Sequence, residues 1–204
     1  MTDYITAEEI KDELPDVDWS EGLYDDFLEL IATRVSRLID RATNREEGAY
    51  KSETATARTF DGSGGRYQWV DEMAAAPSAV EVSEDGTLTY TAWASTDYML
   101  WPYNALAKGR PYVRLDVDQL NGNHALWYAF PKSVRVTAKW GYSTAVPEDL
   151  MQAVVTQCVR WFKRAQQAYQ DVGGAPEVGQ IRYWTRQLDP DVLTLCDMYR
   201  RVVV

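Results

Sequence analysis

The chain has 204 residues, of which 46% are hydrophobic and 12% aromatic, and its formal net charge is −10. That length fits one domain, or one domain with an insertion. The acidic balance argues against a sequence-reading nucleic-acid binder, which needs cations to neutralise phosphates. No apolar run approaches the roughly 18–20 residues of a membrane span.

The first helix signal is Thr6-Ala7-Glu8-Glu9, a Thr-x-x-Glu capping box that predicts a short helix from Ala7. Pro15 ends it. Asp18 and Glu21 offer a second such start. Leu23, Phe27, Leu30, Ile31, Val35, Leu38 and Ile39 then recur at helical spacing, with a stop expected near 42–44.

From about residue 54 to 141 the period changes. Short runs rich in Thr, Val, Tyr and Trp are separated by turn residues, which predicts antiparallel strands joined by turns. Residues 61–65, Asp-Gly-Ser-Gly-Gly, read as a tight hairpin loop with a strand after it. Ser83-Glu84-Asp85-Gly86 reads as a turn between strands at 79–82 and 87–90. Val134, Val136, Ala138 and Trp140 alternate with Arg135, Thr137 and Lys139, the pattern of a half-buried strand.

Helical spacing returns after Pro147, with Leu150, Val154, Cys158, Trp161, Phe162, Ala165 and Tyr169 on one face. Residues 171–176 carry two glycines and a proline and read as a flexible break. Asp189-Pro190 predicts a last helix, Asp as N-cap and Pro at the first turn, with Arg200 and Arg201 in its final turn. These elements predict an α+β fold. Residues 1–53 and 142–172 form a helical core, 54–141 an antiparallel β-rich insertion, and 173–204 a break and a C-terminal docking helix.

Charge is unevenly spread. Residues 1–30 hold eleven Asp and Glu against Lys11 alone, whereas residues 132–204 hold ten Lys and Arg against seven acids. That asymmetry suits head-to-tail contact between identical subunits, or an acidic surface that DNA slides past. Cys158 and Cys196 fall in predicted helices and read as buried free thiols. The start, Met1-Thr2-Asp3, has neither a basic nor an apolar leader region, so no signal peptide is expected.

Catalytic signals are weak. His124 stands alone in a turn and is expected to face solvent; no second His or Cys stands near it to hold zinc. The glycine-rich loop lacks the Gly-Lys-Ser/Thr ending of a phosphate loop. Asp116 and Asp118 are a carboxylate pair of the kind glycoside hydrolysis uses, although so acidic a chain yields such pairs by chance. Trp93, Tyr98, Trp101, Tyr103 and Tyr112 read as sheet core, as an interface rim, or as a sugar platform.

The order of these pieces resembles the head–tail connector (adaptor) proteins of tailed bacteriophages. The carrying residues are 5–11 and 23–40 at the N-terminus, Thr59-Phe60-Asp61-Gly62-Ser63-Gly64, then Trp140-Gly141-Tyr142 before Val146-Pro147-Glu148-Asp149-Leu150, and finally 188–193 with Tyr199-Arg200-Arg201. The resemblance implies a structural virion protein rather than an enzyme, with no cofactor and no metal. It implies a homo-oligomeric ring, commonly of twelve, at the neck below the portal vertex. Its partners would be the portal protein and a stopper or tail-completion protein, with passive contact to genomic DNA and none to a membrane. The protein would be made in a host cytoplasm. Portal docking would fall to Asp189, Pro190, Leu193, Tyr199, Arg200, Arg201 and Val204, and Asp12, Asp25, Asp26 and Glu29 would be acids facing the lumen. The alternatives are another neck or tail-completion protein, and a carbohydrate-binding module or small glycan hydrolase.

Overall fold

The computed structural model describes residues 3–19, 22, 24–169 and 187–201. Expectations for Glu21, Leu23, the break at 173–176, the Tyr169 side chain and the tail at 202–204 lie outside the described residues. The fold is α+β, as the sequence predicts. It has two compact units, one of residues 1–48 and 146–204, the other of 49–145. The sequence reading places that change at 54 and 141.

The first unit is helical. Helix α1 (Ala7–Asp12) opens with the expected capping box: Thr6 accepts from the Glu9 amide, and Glu9 accepts from the Thr6 amide. Helix α2 (Asp25–Ala42) starts later than the Asp18 signal, with Tyr24 as a cap lacking any side-chain bond. Its buried face is Leu28, Ile31, Ala32, Val35, Ser36, Ile39 and Asp40. Leu30, expected on that face, is 43% exposed. The stripe is rotated because two polar residues share the buried face. The Tyr4 amide donates to Ser36 Oγ at 3.1 Å, and the Tyr4 hydroxyl donates to Asp40. Arg37 also reaches Asp40 at 3.2 Å. With partners supplied, burying these polar groups is tolerated.

Helix α3 (Glu148–Tyr169) buries Leu150, Val154, Val155, Cys158 and Phe162, and packs on α1 and α2. Phe162 meets Trp19, Tyr24 and Phe27 with ring centroids 5.4–6.3 Å apart. Helix α4 (Pro190–Met198) packs on α2 and α3, burying Val192 and Cys196. Both thiols are free and buried, as expected. Burial pushes the Cys158 thiol far up and the Cys196 thiol up to about 11, so neither is a nucleophile at neutral pH.

The second unit is two facing antiparallel sheets. One has the order β1 (Ala55–Phe60), β7 (Val134–Lys139), β3 (Ala79–Val82), β4 (Thr91–Ala92). The other has the order β2 (Tyr67–Met73), β6 (Tyr112–Val117), β5 (Tyr98–Trp101). The inward alternation is clean on β7, where Val134, Val136 and Ala138 are buried. They pack with Val80, Val82, Leu115, Val117, Trp93 and Trp127 in one core. The loop at 61–65 is followed by a strand, but β1 and β2 lie in different sheets. It is therefore an arch and not a hairpin. Gly62 is required there, because a Cβ would stand 1.8 Å from the Tyr128 carbonyl oxygen. The return strand after the turn at 83–86 is not at the expected 87–90 but is the short β4, which follows that range. Asp85 organises that loop by accepting from the Thr87 amide at 3.0 Å and its hydroxyl at 2.8 Å.

The chain enters and leaves this unit side by side. The amides of Tyr142 and Ser143 donate to the Ala49 carbonyl, and the Ser52 amide donates to the Ser143 carbonyl. Gly141 sits at φ +147, and a Cβ there would lie 2.5 Å from the Ala49 oxygen. This zipped entry and exit explains why the unit extends beyond 54–141 on both sides.

Candidate docking site

Helix α4 is fastened to the helical unit by charge. The Asp189 carboxylate accepts from Arg160 at 3.1 Å and from Arg164 at 2.8–2.9 Å. The Asp189 amide donates to Gln157 Oε1 at 2.7 Å. Asp189 is the N-cap residue, but with its side chain drawn to the arginines it makes no capping bond. Arg160 also forks onto Asp191 with two bonds of 2.8 Å. Beyond the helix, the Tyr199 hydroxyl donates to Asp149 at 2.6 Å, and Arg45 donates to the Tyr199 carbonyl. The Arg201 amide donates to the Thr43 carbonyl at 2.9 Å.

The seven residues expected to dock a partner therefore divide. Asp189, Tyr199 and Arg201 hold the segment onto its own unit. Pro190, Leu193 and Arg200 face outward, Arg200 with Asp197 at 3.3 Å. Val204 lies outside the described residues. Arg200 and Arg201 follow the helix, which ends at Met198, instead of falling in its last turn. Sequence reading missed Met198, 78% exposed at the C-terminal end of α4. Of the four acids, Asp12, Asp26 and Glu29 are exposed, and Asp25 pairs with Lys11 at 2.6 Å.

The Arg160 guanidinium beside Asp191 holds its carboxyl down to about 2, from an ordinary 3.8. A depressed acid stabilises the fold above its unfolded pKa and loses that contribution as pH falls through the folded one. The protection of α4 amides, taken relative to the intrinsic exchange rate at each pH, is therefore expected to fall between about pH 4 and 2, the window those two values set. Asp191→Asn should remove most of that pH dependence. Asp40 acts with the opposite sign, because burial raises its pKa.

The residues weighed for catalysis are not assembled for it. Asp116 accepts a two-pronged bond from Arg114 at 2.6 and 2.9 Å. Asp118 caps its own turn through Asn121 and Leu120, which lowers its pKa; a general acid for glycoside hydrolysis needs it raised. His124 is half-buried, not exposed, and stacks on Trp93 at 4.0 Å with planes 4° apart. The five aromatics scatter. Trp93 is core, stacked on Trp127, while Tyr98 and Tyr112 pack against the core edge. Trp101 and Tyr103 lie outside the core. Among the described residues, no group of three or more His, Cys, Asp or Glu is placed to hold a metal, and no helix is long and apolar enough to cross a membrane.

A helical unit formed by both ends of the chain, interrupted by a two-sheet β unit, defines the class of fold. No protein-family model and no curated protein matches the sequence. Two solved structures contain chains with a similar fold. A chain in "Neck of empty GTA particle computed with C6 symmetry" matches at TM-score 0.58 and 16% identity, over 98% of this chain and 91% of that one. A chain in "Virion of native gene transfer agent (GTA) particle" matches at TM-score 0.50 and 18% identity, over the same shares.

Proposed function

We propose that this protein is a structural head–tail connector of a phage-like particle. It forms a ring between the portal and a stopper or tail-completion protein, and the ring extends the DNA channel. The observation that carries the reading is the likeness to a chain of a gene transfer agent neck across 98% of this sequence, which covers both units and not one common domain. The order of sequence features shared with phage connectors supports it independently. A ring of twelve would place two copies in each repeat of the sixfold symmetry named for that neck. The protein acts at the virion neck, after synthesis in the host cytoplasm, with no enzymatic step and no cofactor.

The exposed surface of α4 is the proposed portal contact, with Pro190 and Leu193 on one side of the helix and Met198 and Arg200 at its C-terminal end. Exposed apolar groups rimmed by polar ones mark such contacts. Removing residues 189–204 would be a poor test, because Asp189, Val192 and Cys196 are buried in the helical unit. The double variant Leu193→Asp/Met198→Asp is expected to keep the wild-type melting temperature and lose portal attachment in a pull-down. Attachment at wild-type strength would refute this contact.

Asp12, Asp25, Asp26 and Glu29 are proposed to face the lumen. There they would repel the duplex within a Debye length of about 8–10 Å and leave few cations to hold it. A gel shift at low salt is expected to show no retained duplex. Tight, salt-sensitive binding would contradict a smooth conduit.

A further inference from the structure

Asn121 is the one asparagine of the four in this chain that precedes a glycine. In such a pair the glycine amide nitrogen, unhindered by a Cβ of its own residue, can attack the carbonyl carbon of the asparagine side chain. A succinimide ring closes, ammonia leaves, and water reopens the ring to aspartate or isoaspartate. The sequence therefore marks the loop after β6 as a place of spontaneous deamidation. Asn121 is exposed to the water that the reaction consumes.

The fold restrains both reacting groups. The Gly122 nitrogen must give up its proton to become a nucleophile, and it donates that proton to the Asp118 carbonyl at 2.9 Å. The Asn121 side-chain nitrogen, which is the leaving group, donates to Asp118 Oδ2 at 2.9 Å. Asp118 Oδ1 accepts from the Leu120 and Asn121 amides at 3.0 and 3.1 Å. Beyond the glycine, the Asn123 amide donates to Oδ1 of buried Asp97 at 2.8 Å. Gly122 is also wedged, since a Cβ there would stand 2.6 Å from the Asp118 carbonyl oxygen and 2.7 Å from Asp97 Cα. Ring closure has to swing the Gly122 nitrogen onto Asn121 Cγ, which breaks both of its restraints on Asp118. The Asn121 side chain, with the Leu120 and Asn121 amides, holds the Asp118 pKa below its ordinary value. Asp118 therefore stays an ionised acceptor at the neutral and alkaline pH where the attack is fast.

We propose that Asn121 is a latent deamidation site, closed in the folded chain by Asp118 and opened whenever the loop at 118–123 detaches. The rate of conversion then follows the population of the open loop. The step is one-way. Aspartate at 121 sets a second carboxylate against that of Asp118 with no donor between them. Isoaspartate adds a carbon to the backbone, so the bond from Gly122 to Asp118 loses its register. A chain whose loop has opened keeps a permanent extra charge, and the tie to Asp97 and the stack of His124 on Trp93 loosen with it.

The test is peptide mapping by mass spectrometry of the full chain kept at mildly alkaline pH, native and in denaturant. It reads conversion of amide to acid at Asn121, with Asn44, Asn104 and Asn123 as internal references. The native chain is expected to convert Asn121 about tenfold more slowly than the denatured chain, or slower still. Asp118→Ala removes the three bonds that the carboxylate accepts and should speed native conversion about tenfold or more. Asp118→Asn keeps one acceptor oxygen and should fall between; it carries the comparison should Asp118→Ala unfold. Protection of β6 and β7 amides in the same samples separates release of the loop from unfolding of the β unit. Equal rates in native and denatured wild-type chain overturn the proposal. So does a folded Asp118 variant that converts at the wild-type rate, which would place the restraint in the wedged glycine alone.

Discussion

Phe162→Ala is expected to lower the stability of the helical unit by about 3–5 kcal/mol, the usual cost of emptying a buried aromatic site. Phe162 is fully buried, and Trp19, Tyr24 and Phe27 surround it. These neighbours come from the segment before α2 and from its first turn, so they are also tied to α3 through this one ring. Every α-helix of the described residues lies in this unit, so denaturation followed by helical circular dichroism reads it directly. Leu30→Ala is the internal control. Its side chain is 43% exposed, and its loss should cost no more than about 0.5 kcal/mol. Equal losses at the two positions would show that the buried face of α2 is misassigned.

Trp127→Ala is expected to cost the β unit about 3–5 kcal/mol. Its ring is 1% exposed and stacks on Trp93 at 4.5 Å, and its amide donates to the Gly65 carbonyl at 2.8 Å. It fills the space between the two sheets where the loop at 118–130 closes their end. Removing it also frees Trp93, on which His124 rests. The measurement is amide hydrogen exchange at β6 and β7, which lie in opposite sheets. Protection should fall together in both strands and hold in α2. Unchanged protection in either strand would mean that the sheets do not share this core.

The features legible in the sequence are those set by neighbours a few residues apart. The Thr6–Glu9 box, the alternation from 134 to 139 and the Asp189-Pro190 start each depend on a local rule, and each element stands where that rule puts it. What escaped was set by distant partners. Ser36 and Asp40 look like surface residues until Tyr4, more than thirty positions away, is seen to bond both. That pairing turns α2 and moves Leu30 outward. The arch at 61–65 looks like a hairpin loop because nearby strands usually pair; here Phe60 lies opposite Val134 and Tyr67 opposite Asp116. The same limit hid the rings gathered around Arg114. The alternation Tyr112, Arg114, Asp116 is visible, but only register brings Trp69 and Trp101 to Arg114.

The central claim is that this chain is a ring subunit at the neck of a phage-like particle. The measurement that tests it most directly is cryo-electron microscopy of the purified chain mixed with the portal of the same particle. The account predicts a closed ring of this chain seated on the portal, coaxial with its channel and absent when the Leu193→Asp/Met198→Asp variant is used. A chain that stays monomeric beside an undecorated portal, and instead binds polysaccharide, would contradict it.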